Sequence, residues 1–336
     1  MVKYFKILMR RVRILNFISE LDDAAINDIK ELNKFIESAV SDDEFIGEAC
    51  LPLISGGKRL RPLLFFICAK SSKNFSLERM IPLAAAIELI HTASLVHDDI
   101  LDQSKIRRGT QTANSKHGAQ IAVLIGDYLF AKAFQLVAEN GYGDEVSLTL
   151  SKLVKNLCIG EITQDRSIFK IPSMTEYYEK IYLKTAVFLA SCCRLGGIVA
   201  GLNKHEIELL TNYGIGLGLA FQIIDDLLDF FGDVEITGKA LGGDFKSGVI
   251  TLPIIHALNV STQSETLEKI VTSGNVSDSD IVTAIDIIKK TDSLEYCKLR
   301  AFAHIDAARI NLPTSIEDST NFALEKIADF VVNRTW

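Results

Sequence analysis

The stretch that organises this sequence is Leu95-Val96-His97-Asp98-Asp99-Ile100-Leu101-Asp102, which places three carboxylates within five residues of an apolar segment. Its counterpart later in the chain, with the same spacing of aspartates, is Ile223-Ile224-Asp225-Asp226-Leu227-Leu228-Asp229. Carboxylates are costly inside an apolar helix unless a positive charge lies against them. Both stretches are therefore candidates for a functional site rather than for the core alone.

Helical spacing brings the outer aspartates of each stretch together. Asp98 would lie above Asp102, and Asp225 above Asp229, with Cβ atoms roughly 5–6 Å apart. Such pairs suit Mg²⁺, which takes one or two protein carboxylates and completes its shell with water and phosphate oxygens. An ordinary solvated helix face would explain one stretch, but the repeated spacing favours one divided metal site.

Composition restricts the class of protein. The chain has 336 residues, 48% of them hydrophobic, and its six prolines permit many long helices. A net charge of −7 argues against a general nucleic-acid binder. The six cysteines form no Cys-x-x-Cys pair, which is typical of core residues in a reduced, cytoplasmic protein. A transmembrane helix is not expected, because Glu88 and Arg194 interrupt the best apolar runs.

The pattern along the chain predicts an all-α fold, since no segment alternates with period two between hairpin turns. We expect one domain over residues 20–336. Residues 1–19 would form a basic leader, either loosely ordered or the start of an amphipathic helix, with at most a weak membrane contact. Gly214, Gly216 and Gly218 on one predicted helix indicate close helix packing.

Basic segments accompany the acidic stretches. Residues 54–62 hold a glycine pair, three bases and then Pro62, an arrangement that lets Lys58 and Arg61 reach an anion at a helix start. Arg107 and Arg108 follow the first acidic stretch, as expected if metal and guanidinium groups hold one phosphate-bearing ligand. A solubilising loop and simple charge neutralisation remain the alternative interpretations.

Three further polar residues each have two interpretations. His91 lies two helical turns before Asp98 and would either be a hydrogen-bonded core residue or hydrogen-bond a substrate anion. His97 points elsewhere and is expected to be structural. Lys184 enters an apolar run and would either snorkel or reach a diphosphate. Gln164 would either contact a metal-bound water or form a polar edge.

Together these residues resemble the trans-isoprenyl diphosphate synthases over roughly residues 56–258. The resemblance implies a single large antiparallel helical bundle around a central cavity, and a homodimer or a heterodimer with a small regulatory subunit. It also implies about three Mg²⁺ ions shared with the substrate diphosphate. The motifs that carry it include Gly56-Gly57-Lys58-Arg59-Leu60-Arg61-Pro62, both acidic stretches, Arg107-Arg108-Gly109, Gly126-Asp127-Tyr128, Lys184-Thr185, Phe221-Gln222 and Thr251-Leu252-Pro253.

The resemblance also implies a role for each matching residue. The main Mg²⁺ ligands would be Asp98, Asp102 and Asp225, supported by Asp99, Asp226 and Asp229. The isopentenyl diphosphate site would consist of Lys58, Arg61, His91 and Arg108. The allylic diphosphate site would consist of Arg107, Lys184, Thr185, Gln222 and Lys239.

Two features bear on the product and the assembly. Ala93 and Ser94 lie about one turn before Asp98, and such small residues leave room for a product longer than geranylgeranyl, in the hexaprenyl to octaprenyl range.

Many relatives carry lysine where this chain has Val249. The surrounding segment looks closest to the catalytic component of two-subunit hexaprenyl and heptaprenyl diphosphate synthases, which favours a partner subunit.

Three alternative functions share part or all of this set of motifs. A class I terpene cyclase normally lacks the second acidic stretch and the isopentenyl diphosphate loop, and this chain has both. A non-catalytic subunit of a prenyl synthase tolerates loss of its aspartates, but here they are intact. A shorter-chain farnesyl or geranylgeranyl synthase would share every motif and differ only in its pocket.

Overall fold

The computed structural model describes residues 24–71, 75–107, 109–232 and 241–333, which are predominantly helical. This confirms the all-α prediction. A π-helical turn, Tyr182–Ala186, joins the helix Met174–Ile181 to the helix Val187–Val199. The helices are α1 Ala25–Ala39, α2 Glu44–Ile54, α3 Leu60–Ala69, α4 Leu77–Leu101, α5 Ala113–His117, α6 Ala119–Glu139, α7 Asp144–Arg166, α8 Met174–Ile181, α9 Val187–Val199, α10 Lys204–Phe231, α11 Gly243–Lys246, α12 Leu252–Val260, α13 Ser264–Val271, α14 Asp278–Lys289, α15 Ser293–Ile310 and α16 Asp318–Val332.

Strand structure in the described ranges is limited to one short ribbon. Strands β1 (Ile106–Arg107) and β2 (Thr110–Gln111) pair antiparallel, directly after the first acidic stretch. Gly109 in the connecting turn has φ +85°, a backbone conformation that glycine adopts without steric cost. The ribbon fixes the backbone of Arg107, which follows Leu101, the last residue of α4, by six residues in the sequence.

The described residues belong to two compact units. The first takes in those of the ranges Met1–Val154, Cys192–Ile207 and Ser315–Ala323. The second takes in those of Lys155–Ser191, Glu208–Thr314 and Leu324–Trp336. A single domain over residues 20–336 stays a prediction, and the basic leader, residues 1–19, lies outside the described residues.

In the first unit, α4 is the central helix. It packs along α6 and also contacts α1 and α3. Leu83, Ile87 and Ile90 of this helix are fully buried, and so is most of its circumference over these turns. A helix that is apolar on all sides belongs in a core, and α4 carries the first acidic stretch out of that core at its C-terminal end.

In the second unit, the glycines of α10 confirm the expected close packing. A Cβ atom added at Gly214 would lie 2.6 Å from the Cα of Ala190, and one added at Gly218 would lie 2.4 Å from the Cα of Ala186. At Gly216 the carbonyl oxygen of His304 would be 2.7 Å away. Only glycine permits these approaches, which hold α10, and with it the second acidic stretch, firmly against its neighbours.

Four described helices are long and apolar enough to cross a membrane, judged by length and composition alone. They are Leu77–Leu101, Ala119–Glu139, Met174–Val199 and Lys204–Phe231. In three of them more than half of the most apolar window is buried inside the protein. Packing in the interior therefore accounts for much of their apolar character, and the absence of a membrane span stays a prediction.

The six cysteines are all unbridged. Five are buried, as the sequence predicts for core residues, whereas Cys158 is exposed on α7. The prediction of a core residue is therefore wrong for Cys158.

Candidate active site

The first acidic stretch ends α4. Asp102 caps the helix, and its backbone N–H donates to the carbonyl of Asp98 at 2.8 Å, so the two residues are stacked one turn apart as predicted. Asp102 is exposed and Asp98 is partly exposed. The side chain of Asp99 points the other way and is only 3% exposed. Helix geometry thus leaves two carboxylates on the outer face of this stretch and one inside.

Asp99 joins the acidic stretch to the loop that follows it. Its Oδ1 accepts a hydrogen bond from Nε of Arg107 at 2.8 Å, and its carbonyl oxygen accepts one from Nδ2 of Asn114 at 3.0 Å. The guanidinium of Arg107 is partly exposed and keeps further N–H donors for an anion. Charge neutralisation therefore operates between Asp99 and Arg107, and it also orients Arg107.

The basic loop, residues 55–61, ends on the first two residues of α3, Leu60 and Arg61, next to α4. Nη1 of Arg61 lies 3.2 Å from Nε2 of His91, which is 30 residues away in sequence. Because guanidinium only donates, Nε2 of His91 accepts, and its proton is then on Nδ1. Lys58 is half-buried in the same loop. The structure thus brings two of the predicted isopentenyl diphosphate residues, Arg61 and His91, into direct contact.

The second acidic stretch lies near the end of α10 and follows the same pattern. Asp225 is exposed, Asp229 is half-buried and Asp226 is only 2% exposed. Asp226 accepts hydrogen bonds from the hydroxyl of Tyr177 and from Nε2 of Gln222, both at 2.8 Å. In each stretch, therefore, the middle carboxylate is used for internal hydrogen bonds.

Negative charge is concentrated at the end of this stretch. Asp229 accepts backbone N–H bonds from Gly243 and Asp244 at 3.0 and 3.2 Å, at the start of α11. Burial and the nearby charge of Asp244 raise the pKa of Asp229 to about 7. Burial also raises the pKa of Asp226 to about 7, and Asp244 adds to that rise. Asp244 thus adds negative charge next to the second acidic stretch, although no residue spacing in the sequence indicated this role.

A chain of hydrogen bonds connects the π-helical turn to Asp226. The hydroxyl of Thr185 donates to Oε1 of Gln222 at 2.6 Å, and the amide of Gln222 in turn donates to Asp226. Tyr177 completes the chain from α8. π-Helical turns inside α-helices are frequent at functional sites. The sequence predicted Thr185 and Gln222 by resemblance, but it gave no signal for Tyr177.

Two lysines lie on this part of the second unit. Lys184 is exposed, and its Nζ donates to Oε1 of Gln164 at 2.8 Å. Lys180 is 7% exposed, and its Nζ donates to the carbonyl of Ile250 at 2.9 Å. Burial lowers the pKa of Lys180, and the charge of Asp226 partly opposes that shift. The sequence analysis did not predict a role for Lys180. Its position one helical turn before Lys184 was the only signal that could have indicated one.

The chain-length pocket has two candidate residues, both on α4. Ala93 is fully buried by protein atoms, whereas Ser94 is partly exposed and its hydroxyl donates to the carbonyl of His91 at 2.9 Å. Of the two pocket candidates, only Ser94 borders solvent-accessible space.

His97 also lies on α4, and its Nε2 is 3.2 Å from the carbonyl oxygen of Val123, in keeping with a structural role.

The donor chemistry fits Mg²⁺. The outer carboxylates are hard oxygen ligands, and the crowded charge around Asp229 is of the kind that a divalent cation relieves. Within the described residues no group of three or more His, Cys, Asp or Glu side chains is close enough to hold an ion by itself. An ion here would therefore complete its shell with substrate oxygens and water, as Mg²⁺ usually does.

Two predicted site residues, Arg108 and Lys239, lie outside the described residues. Their roles, like the sharing of one divided metal site by the two acidic stretches, stay predictions.

Comparison with known proteins gives consistent matches over most of the chain. A family model described as polyprenyl synthetase matches residues 43–288. The heptaprenyl diphosphate synthase component 2 of Geobacillus stearothermophilus is 36% identical over 303 residues, which cover 89% of this chain and 91% of that protein. A short chain isoprenyl diphosphate synthase of Methanocaldococcus jannaschii is 35% identical over 326 residues, covering 96% and 95%.

A solved structure extends the match to three dimensions. The crystal structure of a polyprenyl synthase from Caulobacter crescentus, complexed with calcium and isoprenyl diphosphate, superposes with a TM-score of 0.86 at 34% identity. It covers 95% of this chain and 98% of that one.

Proposed function

Since this chain belongs to the polyprenyl synthetase family and is a prenyltransferase that makes trans-prenyl diphosphates, we propose that it joins isopentenyl diphosphate to an allylic diphosphate with Mg²⁺. The product we propose is of medium to long chain, from hexaprenyl to octaprenyl. The observation that carries this proposal is the hydrogen-bonded chain from Thr185 through Gln222 to Asp226, which ties a candidate diphosphate site to an acidic stretch.

The residues have separate tasks in the proposed reaction. Arg107 and Lys184 bind the allylic diphosphate, and their charges stabilise it as the allylic carbon–oxygen bond breaks. Asp98, Asp102 and Asp225 would be the main ligands of Mg²⁺, which would supply further neutralisation of the leaving diphosphate. The apolar core around α4 excludes water, which would otherwise trap the allylic cation.

The second substrate is bound on its own diphosphate. Lys58, Arg61 and His91 hold isopentenyl diphosphate so that its double bond attacks the allylic cation. Loss of a proton, which passes to the released diphosphate, then restores an alkene. No protein nucleophile is needed, and the new carbon–carbon bond replaces the broken carbon–oxygen bond.

The activity is tested by incubating the purified chain with radiolabelled isopentenyl diphosphate, farnesyl diphosphate and Mg²⁺. We expect label in the extracted lipid only when all three are present, and none after EDTA treatment. A terpene cyclase would not need isopentenyl diphosphate. A chain that incorporates no label, alone or with a candidate partner, contradicts the proposal.

The product length is proposed from α4. The two relatives described above are named a heptaprenyl and a short chain synthase, so the family alone leaves the product length open. Ser94 is small and partly exposed one turn before Asp98, which supports an open pocket and a long product. A farnesyl or geranylgeranyl synthase is the alternative.

The substitution Ser94→Phe should shorten the product, because an aromatic ring would fill the space into which the chain grows. Product chromatography measures this directly. Ala93→Phe is the comparison: since Ala93 is fully buried, it should mainly cost about 1–3 kcal/mol of stability by overpacking. A wild-type product that already stops at farnesyl, or an unchanged length in Ser94→Phe, would refute the pocket assignment.

We propose a homodimer or a heterodimer with a small regulatory subunit. The printed name of the Geobacillus relative, a component 2, supports a second component. Val249, at a position often occupied by lysine in the family, also supports a partner that completes the activity. Comparing isopentenyl incorporation by the chain alone with that by the chain plus a candidate partner separates the two assemblies.

A cytoplasmic location is proposed from the unbridged cysteines.

A further inference from the structure

We propose that the buried ion pair between Arg59 and Glu88 positions the basic loop, residues 55–61, for isopentenyl diphosphate. This inference rests on the proposed function. Arg59 is a positioning residue and acts through Lys58 and Arg61, the loop residues assigned to the substrate.

The backbone of the loop requires an anchor at this point. Gly56 and Gly57 have φ +87° and +88°, which glycine adopts freely. Arg59 has φ +50°, a left-handed conformation that is unfavourable for a residue with a Cβ atom. Among the described residues only Gln103 and Phe169 share this feature outside glycine. Contacts of the Arg59 side chain must therefore compensate for the cost of this backbone conformation.

The side chain of Arg59 is bound in three directions. Its Nη1 donates to Oε1 of Glu88 on α4 at 2.5 Å, and its Nε donates to Oδ1 of Asn33 on α1 at 2.8 Å. Its Nη2 donates to the carbonyl of Ile54, the last residue of α2. Arg59 is 7% exposed and Glu88 is 3% exposed. A guanidinium fixed in this way connects the loop to three helices, and lysine has no equivalent planar set of donors.

The anchor also sets the register of the substrate residues. Glu88 precedes His91 by three residues, about one turn of α4, and Arg61 follows Arg59 by two residues. Glu88 and His91 are both on α4, so the contact between Arg61 and His91 lies next to the ion pair between Arg59 and Glu88. Fixing the buried pair fixes where Arg61 meets α4. The loop is thus preorganised before an anion arrives, which saves its ordering cost on binding.

The decisive variant is the double substitution Arg59→Met with Glu88→Met. Replacing both members of a buried ion pair by apolar residues leaves no charge unpaired, so the chain should still fold. We expect KM for isopentenyl diphosphate to rise at least about tenfold, because misplaced binding groups lose affinity, while KM for the allylic diphosphate changes little. The matched control is Arg194→Met with Glu145→Met, a partly exposed pair at 2.7 Å, which should leave both constants unchanged.

A second variant and a second readout keep the test decisive. Glu88→Gln retains an oxygen for Nη1 of Arg59 but removes the charge, so it should raise KM for isopentenyl diphosphate by a smaller factor. Amide hydrogen exchange of residues 55–61 needs no catalysis and should become faster in each variant. Wild-type KM and wild-type exchange in a folded variant would overturn the positioning role. A wild-type chain that incorporates no isopentenyl diphosphate, either alone or with a candidate partner, would instead refute the proposed function, while hydrogen exchange would still test the anchor.

Discussion

Alanine at Asp98 or at Asp225 should lower the turnover of isopentenyl incorporation by about a thousandfold. Each substitution removes an outer carboxylate, which the proposed mechanism uses to bind Mg²⁺ against the allylic diphosphate. The loss should be in kcat rather than in folding, because Asp225 is exposed and Asp98 is partly exposed. The rate is measured at saturating substrates over a range of Mg²⁺ concentrations.

Asp286 provides the matched control for this prediction. It is a surface aspartate of α14 that pairs at 2.6 Å with Lys290, the residue that follows this helix. Its replacement by alanine should leave turnover unchanged. Wild-type turnover in Asp98→Ala or Asp225→Ala would overturn the assignment of the metal ligands. A higher Mg²⁺ requirement in the two variants, with normal thermal unfolding, would support it.

Asp226→Ala should have the largest effect on stability, a loss of about 3 kcal/mol in the free energy of unfolding. The substitution leaves the hydroxyl of Tyr177 and the amide of Gln222 without their acceptor. It also removes the negative charge that favours the ammonium form of buried Lys180. Unmet buried donors cost more than the hydrogen bonds themselves contribute.

Urea unfolding without added Mg²⁺ measures this loss. Asp226→Asn keeps a carbonyl oxygen for Tyr177, so it should lose clearly less stability than Asp226→Ala. Equal stability of Asp226→Ala and the wild-type chain would contradict the internal role. Wild-type unfolding of both variants, together with an altered Mg²⁺ requirement, would instead indicate that Asp226 acts as a direct metal ligand.

Residue spacing predicted which polar groups share a helix face. Four-residue spacing placed Asp98 over Asp102, and the structure has them stacked at the end of α4. The glycines of α10 indicated close packing, which the short distances at Gly214 and Gly218 confirm. These predictions succeed because helix periodicity and the missing Cβ of glycine are local properties.

Partners distant in the chain were not predictable in the same way. The sequence indicated that Arg59 is one of three bases in an anion-binding segment, yet it is buried against Glu88, 29 residues away. Tyr177 reaches Asp226 across 49 residues, and no pattern around either residue indicated that bond. Whether a side chain faces solvent or a buried partner depends on how helices pack, which their separate periodicities do not specify.

The sequence by itself determined the helical class, the two acidic stretches and the bases that accompany them, because composition and spacing fix these directly. Only the tertiary structure decided that Asp99 and Asp226 turn inward and that Arg59 anchors a loop. The physical reason is desolvation: a carboxylate or guanidinium enters the interior only where packing supplies its hydrogen-bond partners, and those partners come from other helices.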